Sequence, residues 1–165
     1  MGNIHSVYNA LTSLGFQSFV TDRNEDFKKA DSFILPGVGA FSKAMSNLKD
    51  LNLIDEIKNQ ISIKKKNILG ICLGMQLLAD LSEEGGINNG LSFIPGKVLD
   101  LSNKIKIRVP HIGWNAVKMK NNNNLFKKIE SGQEFYFVHK YYYSCENKYL
   151  LAETNYEINV TAAIN

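Results

Sequence analysis

Apolar residues at Ile4, Val7, Tyr8 and Leu11 recur at the spacing of one helical face, with Asn3 placed to cap it. This spacing predicts a helix starting almost at the first residue. Gly15 closes it, residues 16–20 read as a short strand, and the charged stretch after them leads into a helical turn around Phe27. A second apolar strand covers residues 32–35, stopped by Pro36 and followed by Gly37, Val38 and Gly39. Phe41, Met45, Leu48, Leu53, Ile54, Ile57 and Ile61 then predict one or two amphipathic helices broken near Leu51 and Asn52. Lys64, Lys65 and Lys66 close them at the end that the helix dipole favours for cations.

Residues 68–71 are wholly apolar, Cys72 ends the run, and residues 73–79 begin a helix at once. Such a run reads as a central parallel strand feeding a crossover helix, and the repeated order of strand and helix predicts an α/β fold. The second half differs. After a Gly- and Asn-rich loop at 85–90, strand-like segments occur at 96–99, 105–109, 114–117, 135–138, 149–152 and 160–163. One short helical candidate lies at 125–129, and the asparagines at 121–124 read as an exposed turn. These segments predict antiparallel strands and long ligand-side loops added to a mixed sheet.

Composition narrows this picture to one domain. With 165 residues and 44% hydrophobic content, roughly two-thirds of the unfolded chain's surface can be buried, which argues against disorder and against a second full domain. The formal charge of +3, from 19 basic against 16 acidic residues, is spread thinly and gives no reason to expect nucleic acid. Two cysteines and the lack of a secretory leader pattern point to a reducing, cytoplasmic setting, and no stretch is apolar enough to predict a membrane span.

The leading chemical feature is Cys72. Between a buried strand and a helix start, helix N–H groups and the dipole favour a thiolate, and Gly70 and Gly74 permit a tight elbow. The residue type alone also suits a buried structural cysteine. The Gly37 to Gly39 loop ends the preceding strand, where its N–H groups can serve as oxyanion donors or simply form a βα turn. No three-glycine dinucleotide fingerprint and no paired His or Cys spacing occurs, so neither a cofactor nor a metal is expected. On residue type, either His111 or His139 suits a general base for Cys72, or a hydrogen-bonding role in loop or core. The aromatics Trp114, Tyr136, Phe137 and Tyr141 to Tyr143 suit a ligand pocket, a partner surface or plain strand packing.

Gly70-Ile71-Cys72-Leu73-Gly74-Met75-Gln76 resembles the nucleophile elbow of class I, triad-type glutamine amidotransferases, and Pro36-Gly37-Val38-Gly39-Ala40-Phe41 resembles their oxyanion loop. Three further segments are similar to glutaminase subunits of imidazole glycerol phosphate synthases: the stretch from Gly2 to Ala10, Pro110-His111-Ile112-Gly113-Trp114-Asn115, and Tyr136-Phe137-Val138-His139-Lys140-Tyr141-Tyr142. The resemblance implies a flavodoxin-like, three-layer α/β fold with an open mixed sheet and flanking helices. It implies glutamine hydrolysis at Cys72, with oxyanion donors at Gly37, Val38, Gly39 and Leu73 and glutamine seated by Gln76, His139 and Tyr141. It also implies a heterodimer with a β/α-barrel cyclase that uses the ammonia in histidine biosynthesis. Pro110, His111, Gly113, Trp114 and Asn115 would face that partner. Paralogous amidotransferase subunits of surface-sugar pathways resemble this pattern closely, and a non-catalytic partner protein is a further reading.

Members of this family ordinarily begin with an apolar strand ahead of the segment matching Gly2 and carry their catalytic His and Glu beyond the segment matching residues 160–163. The resemblance therefore implies an incomplete domain, about thirty to forty residues short, without positions for those two triad partners. The expectation is a nucleophile without its orienting partners, low glutaminase activity, and an unpaired sheet edge prone to aggregation.

Overall fold

The computed structural model describes residues 4–120 and 123–165. The expected cap Asn3, and Asn121 and Asn122 of the asparagine turn, lie outside the described residues.

The helix α1 (Ile4–Ser13) forms where the apolar spacing placed it, and Gly15 ends it with φ at 80°. Its face is only half-buried at Ile4, Val7 and Leu11. The next segment departs from expectation. Residues 16–20 form no strand, and Phe16, Phe19 and Val20 are exposed, because an extended segment becomes a strand only when its N–H and C=O groups meet a ladder. The turn around Phe27 is the short helix α2 (Asn24–Phe27), whose Asp26 carboxylate gathers Thr21, Arg23 and Lys29.

The strand β1 (Ser32–Gly37) leads into α3 (Phe41–Asp50) and α4 (Leu53–Lys58), continued by a π-helical turn at Asn59–Ile63. The break falls at Asn52, whose φ of 56° is a conformation asparagine tolerates. Pro36 does not stop β1, which runs one residue further. A proline is tolerated at a strand's end where the ladder does not need its N–H. β2 (Asn67–Cys72) pairs parallel to β1 and passes straight into α5 (Leu73–Gln76). This helix is shorter than the expected 73–79, and turns take over after Gln76.

Two further sheets follow. β3 (Leu81–Ser82), β4 (Asn88–Asn89), β5 (Lys97–Asp100) and β8 (Tyr141–Ser144) form a mixed sheet in the order β4-β3-β5-β8. β6 (His111–Met119), β7 (Glu134–His139), β9 (Leu150–Tyr156) and β10 (Ile158–Ile164) form an antiparallel sheet in the order β10-β9-β6-β7. The α/β class and mixed pairing are as expected, with the ladders falling into three groups. Residues 105–109 are not a strand. The Glu157 carboxylate accepts from the N–H groups of Lys106, at 2.6 Å, and Ile107, at 3.2 Å, so these donors are spent on a side chain instead of a ladder. The helical candidate at 125–129 is reduced to a 3₁₀ turn at Asn124–Phe126.

The main core joins α3, α4, α5, β5 and β8 through Phe41, Leu48, Leu53, Leu73, Val98 and Tyr143. A smaller cluster of Leu101, Ile105 and Val160 lies where β10 meets the 101–105 segment. The apolar run of β2 is not wholly covered: Leu69 and Ile71 are 41% and 39% exposed, and among the described residues β2 pairs only with β1. No described helix is long and apolar enough to cross a membrane.

Candidate active site

The parallel register of β1 and β2 pairs Gly37 with Cys72. The loop after β1 and the turn after β2 therefore meet at one carboxyl edge, where α/β sheets hold their ligands. Cys72 makes the turn itself with φ 56° and ψ −116°, a conformation that costs a non-glycine residue about 1–3 kcal/mol. Its thiol is exposed.

Three glycines make this turn possible. A Cβ on Gly70 would lie 2.6 Å from the backbone of Gly74 and Met75, and one on Gly37 would lie 3.0 Å from the Gly74 nitrogen. A Cβ on Gly74 would collide with the Leu35 carbonyl. The start of α5 thus rests on the two strands in backbone contact, which sets Leu73 beside the end of β1. In the loop between β1 and α3, Val38 is exposed and Gly39 has φ 97°, turning the chain into α3.

The far side of that loop is held by Glu84, a residue whose role no motif in the sequence marks. Its carboxylate accepts from the Phe41 N–H at 2.8 Å, satisfying one of the orphan donors at the start of α3. The available signal was an acidic pair, Glu83 and Glu84, in the glycine-rich turn after an apolar helix.

Gln76, at the end of α5, donates through Nε2 to the Tyr141 carbonyl at 3.1 Å. His139 Nδ1 lies 3.0 Å from the same oxygen. His139 Nε2 lies 3.0 Å from His111 Nδ1, and His111 Nε2 lies 3.4 Å from Asn115 Nδ2, which also donates to the Asn155 carbonyl at 2.8 Å. The His111 ring is stacked against Tyr156, with centroids 3.9 Å apart, and Phe137, at 4.8 Å. Burial pushes the pKa of both imidazoles down. The neighbouring His139 adds to this at His111, while the Tyr141 carbonyl opposes it at His139. Both nitrogens of each ring are engaged in this chain, and among the described residues neither ring is hydrogen-bonded to Cys72.

The residues from Pro110 to Asn115 divide between two faces of β6. Trp114 and its register partner Tyr136 make an edge-to-face pair with centroids 5.7 Å apart and are 69% and 57% exposed. Ile112 and Val138 extend the same outward face. His111, expected at a partner-facing surface, is buried at 2% exposure, because strand alternation sends it and Asn115 to the opposite face. Pro110 precedes β6 through a cis Val109–Pro110 bond, and Gly113 takes φ 140° within the strand. The aromatic cluster divides likewise. Tyr143 is core, its hydroxyl donating to the Ile94 carbonyl at 2.5 Å, while Tyr141 is half-buried under Lys140.

Three comparisons bear on this arrangement. The family model described as glutamine amidotransferase class-I matches residues 1–164. The chain is 39% identical over 163 residues to a protein of Campylobacter jejuni named imidazole glycerol phosphate synthase subunit HisH 1, covering 99% of this chain and 81% of that one. It is 42% identical over 165 residues to subunit HisH 2 of Vibrio vulnificus, covering 99% and 77%, and 43% identical over 169 residues to subunit HisH of Bacillus subtilis, covering 99% and 79%. A solved structure described as a crystal structure of glutamine amidotransferase superposes with a TM-score of 0.71 at 15% identity, over 92% of this chain and 75% of that one, a likeness of fold.

Proposed function

The chain belongs to the class-I glutamine amidotransferase family, and from that premise we propose that it is the glutamine-hydrolysing subunit of an imidazole glycerol phosphate synthase. The observation that carries this reading is the strained Cys72 elbow set in register with Gly37 at the open end of the parallel pair. Residues 1–165 belong to a single amidotransferase domain, in the cytoplasm. Cys72 attacks the side-chain carboxamide carbon of L-glutamine. The thiol hydrogen passes to the amide nitrogen, the C–N bond breaks and ammonia leaves, and water cleaves the resulting thioester to give glutamate and the free thiol.

The residues divide the work. The backbone N–H groups of the 37–39 loop and of Leu73 stabilise the oxyanion, a contribution of about 3 kcal/mol for one good donor. Gln76, His139 and Tyr141 form the glutamine seat, Gln76 facing the substrate and the other two holding it in place. Ammonia passes to a cyclase subunit of β/α-barrel form, making a heterodimer. Trp114, with Tyr136, Ile112 and Val138, forms the contact surface, since exposed aromatics side by side on a strand pair suit an interface core. Pro110, Gly113, His111 and Asn115 shape that strand, the last two from behind it.

A diazoketone analogue of glutamine tests the catalytic part. Intact mass should show one adduct on the protein and none on a Cys72→Ala variant. Equal labelling of both would refute the nucleophile. The partner part is tested by mixing the protein with an imidazole glycerol phosphate synthase cyclase subunit in sedimentation runs, where a 1:1 complex is expected and two independent species would refute it.

A further inference from the structure

The hydrogen bonds behind β6 fix one arrangement of protons. At one end the Tyr141 carbonyl can only accept, so His139 carries its hydrogen on Nδ1. As a neutral ring it then presents a lone pair at Nε2, so His111 donates from Nδ1. That leaves His111 Nε2 as an acceptor facing the Asn115 amide group. The two N–H bonds of that group serve His111 and the Asn155 carbonyl, a second group that can only accept. Every donor in the chain meets an acceptor in this arrangement, with both rings neutral. The His111 ring is screened from solvent by Phe137 and Tyr156, and the half-buried His139 ring lies beside Phe137. Among the described residues no carboxylate is hydrogen-bonded to either imidazole.

This chain reaches the candidate active site. The Tyr141 carbonyl that anchors His139 also accepts from Gln76 Nε2. Fixing that amide nitrogen on the carbonyl leaves Gln76 Oε1 as an acceptor for a donor on the bound molecule. Were His139 to carry its hydrogen on Nε2 instead, its Nδ1 lone pair would face the Tyr141 oxygen and the two would repel. His111 and Asn115 prevent this by presenting a donor to Nε2.

We propose that His111 and Asn115 are positioning residues of the glutamine pocket, which set the tautomer of His139 and through the Tyr141 carbonyl hold Gln76 in its binding orientation. The proposal rests on the reading of Gln76 as a glutamine contact. It assigns these residues a part in substrate affinity, with no part in the chemistry at Cys72.

The test has two arms. In the unsubstituted protein labelled with ¹⁵N in histidine, both rings should show the Nδ1–H tautomer, with a scalar coupling across the hydrogen bond from His111 Nδ1 to His139 Nε2. An Nε2–H tautomer at His139, or no coupling, would overturn the proposal without any variant. In the second arm, alkylation of Cys72 by the diazoketone analogue is followed against its concentration. His111→Phe keeps a stackable ring without the donor, and should raise the half-saturating concentration roughly five- to tenfold, the loss of one hydrogen bond. The limiting rate and the reaction with iodoacetamide should stay unchanged. His111→Asn, whose amide nitrogen stands in for Nδ1, should restore saturation. An unchanged half-saturation in His111→Phe, or no restoration by His111→Asn, would overturn the proposal. If the analogue reacts no more selectively than iodoacetamide with the unsubstituted protein, the glutamine-pocket reading falls and takes the proposal with it. The histidine spectrum separates that result from failure of the relay itself.

Discussion

A residue holding positive φ without being glycine stores free energy, and Cys72 does so at the point where its thiol is displayed. Replacing it separates the thiol from the strain. Cys72→Gly should be more stable than Cys72→Ala by about 1 kcal/mol, because glycine accepts this backbone freely. Urea midpoints of the two variants check this, and equal midpoints would mean that no strain is stored. The elbow was legible in sequence because the steric demand is local: Gly70, Cys72 and Gly74 are neighbours, and their need for close backbone approach shows in the residue types. His111 was not. Its position in a strand was readable, but whether it faces outward depends on which face β9 and Tyr156 cover, a contact 45 residues away.

Elements form where hydrogen-bond partners exist, and this decided which sequence signals became structure. The helices α1, α3 and α4 carry their own ladders, so periodicity sufficed to find them. Residues 16–20 and 105–109 have strand-like composition yet form no strand, one without a neighbouring ladder and the other with its donors taken by Glu157. The pair β6 and β7 gained a face that composition left undecided. Its register sets Trp114 against Tyr136 and Ile112 against Val138, all outward. Truncating the central aromatic should therefore act on assembly alone. Trp114→Ala should weaken binding to the cyclase subunit by about 2 kcal/mol, near thirtyfold in Kd, while leaving analogue capture at Cys72 intact. Calorimetric titration measures this, and unchanged affinity would place the interface elsewhere.

Across the whole molecule, buried and paired ionisable groups tie stability to pH. Burial holds the His111 and His139 pKa values below their ordinary 6.5, so the fold favours the neutral rings. Their contribution is fully present above that value and is lost as the pH falls below it toward the depressed folded values. Asp26 acts lower on the scale. Its bonds to Lys29, Thr21 and Arg23 hold the carboxyl down at about 2 from 3.8, so its contribution persists above 3.8 and fades as the pH falls toward 2. Urea midpoints should thus be level at neutral pH and decline in two stages, and the first stage should shrink in His111→Phe. A single decline confined to the carboxylate range would contradict the role given to the histidines.

The sequence by itself determined the α/β class, the cysteine elbow, the glycine loop that faces it and the resemblance to an amidotransferase, because each is written in adjacent residues with local steric or hydrogen-bonding demands. Only the tertiary structure decided which strands pair, which face of β6 meets solvent, and that Gln76, Tyr141, His139, His111 and Asn115 form one hydrogen-bonded chain. These follow from register and packing between segments far apart in the chain, and a residue's type does not specify its distant neighbour.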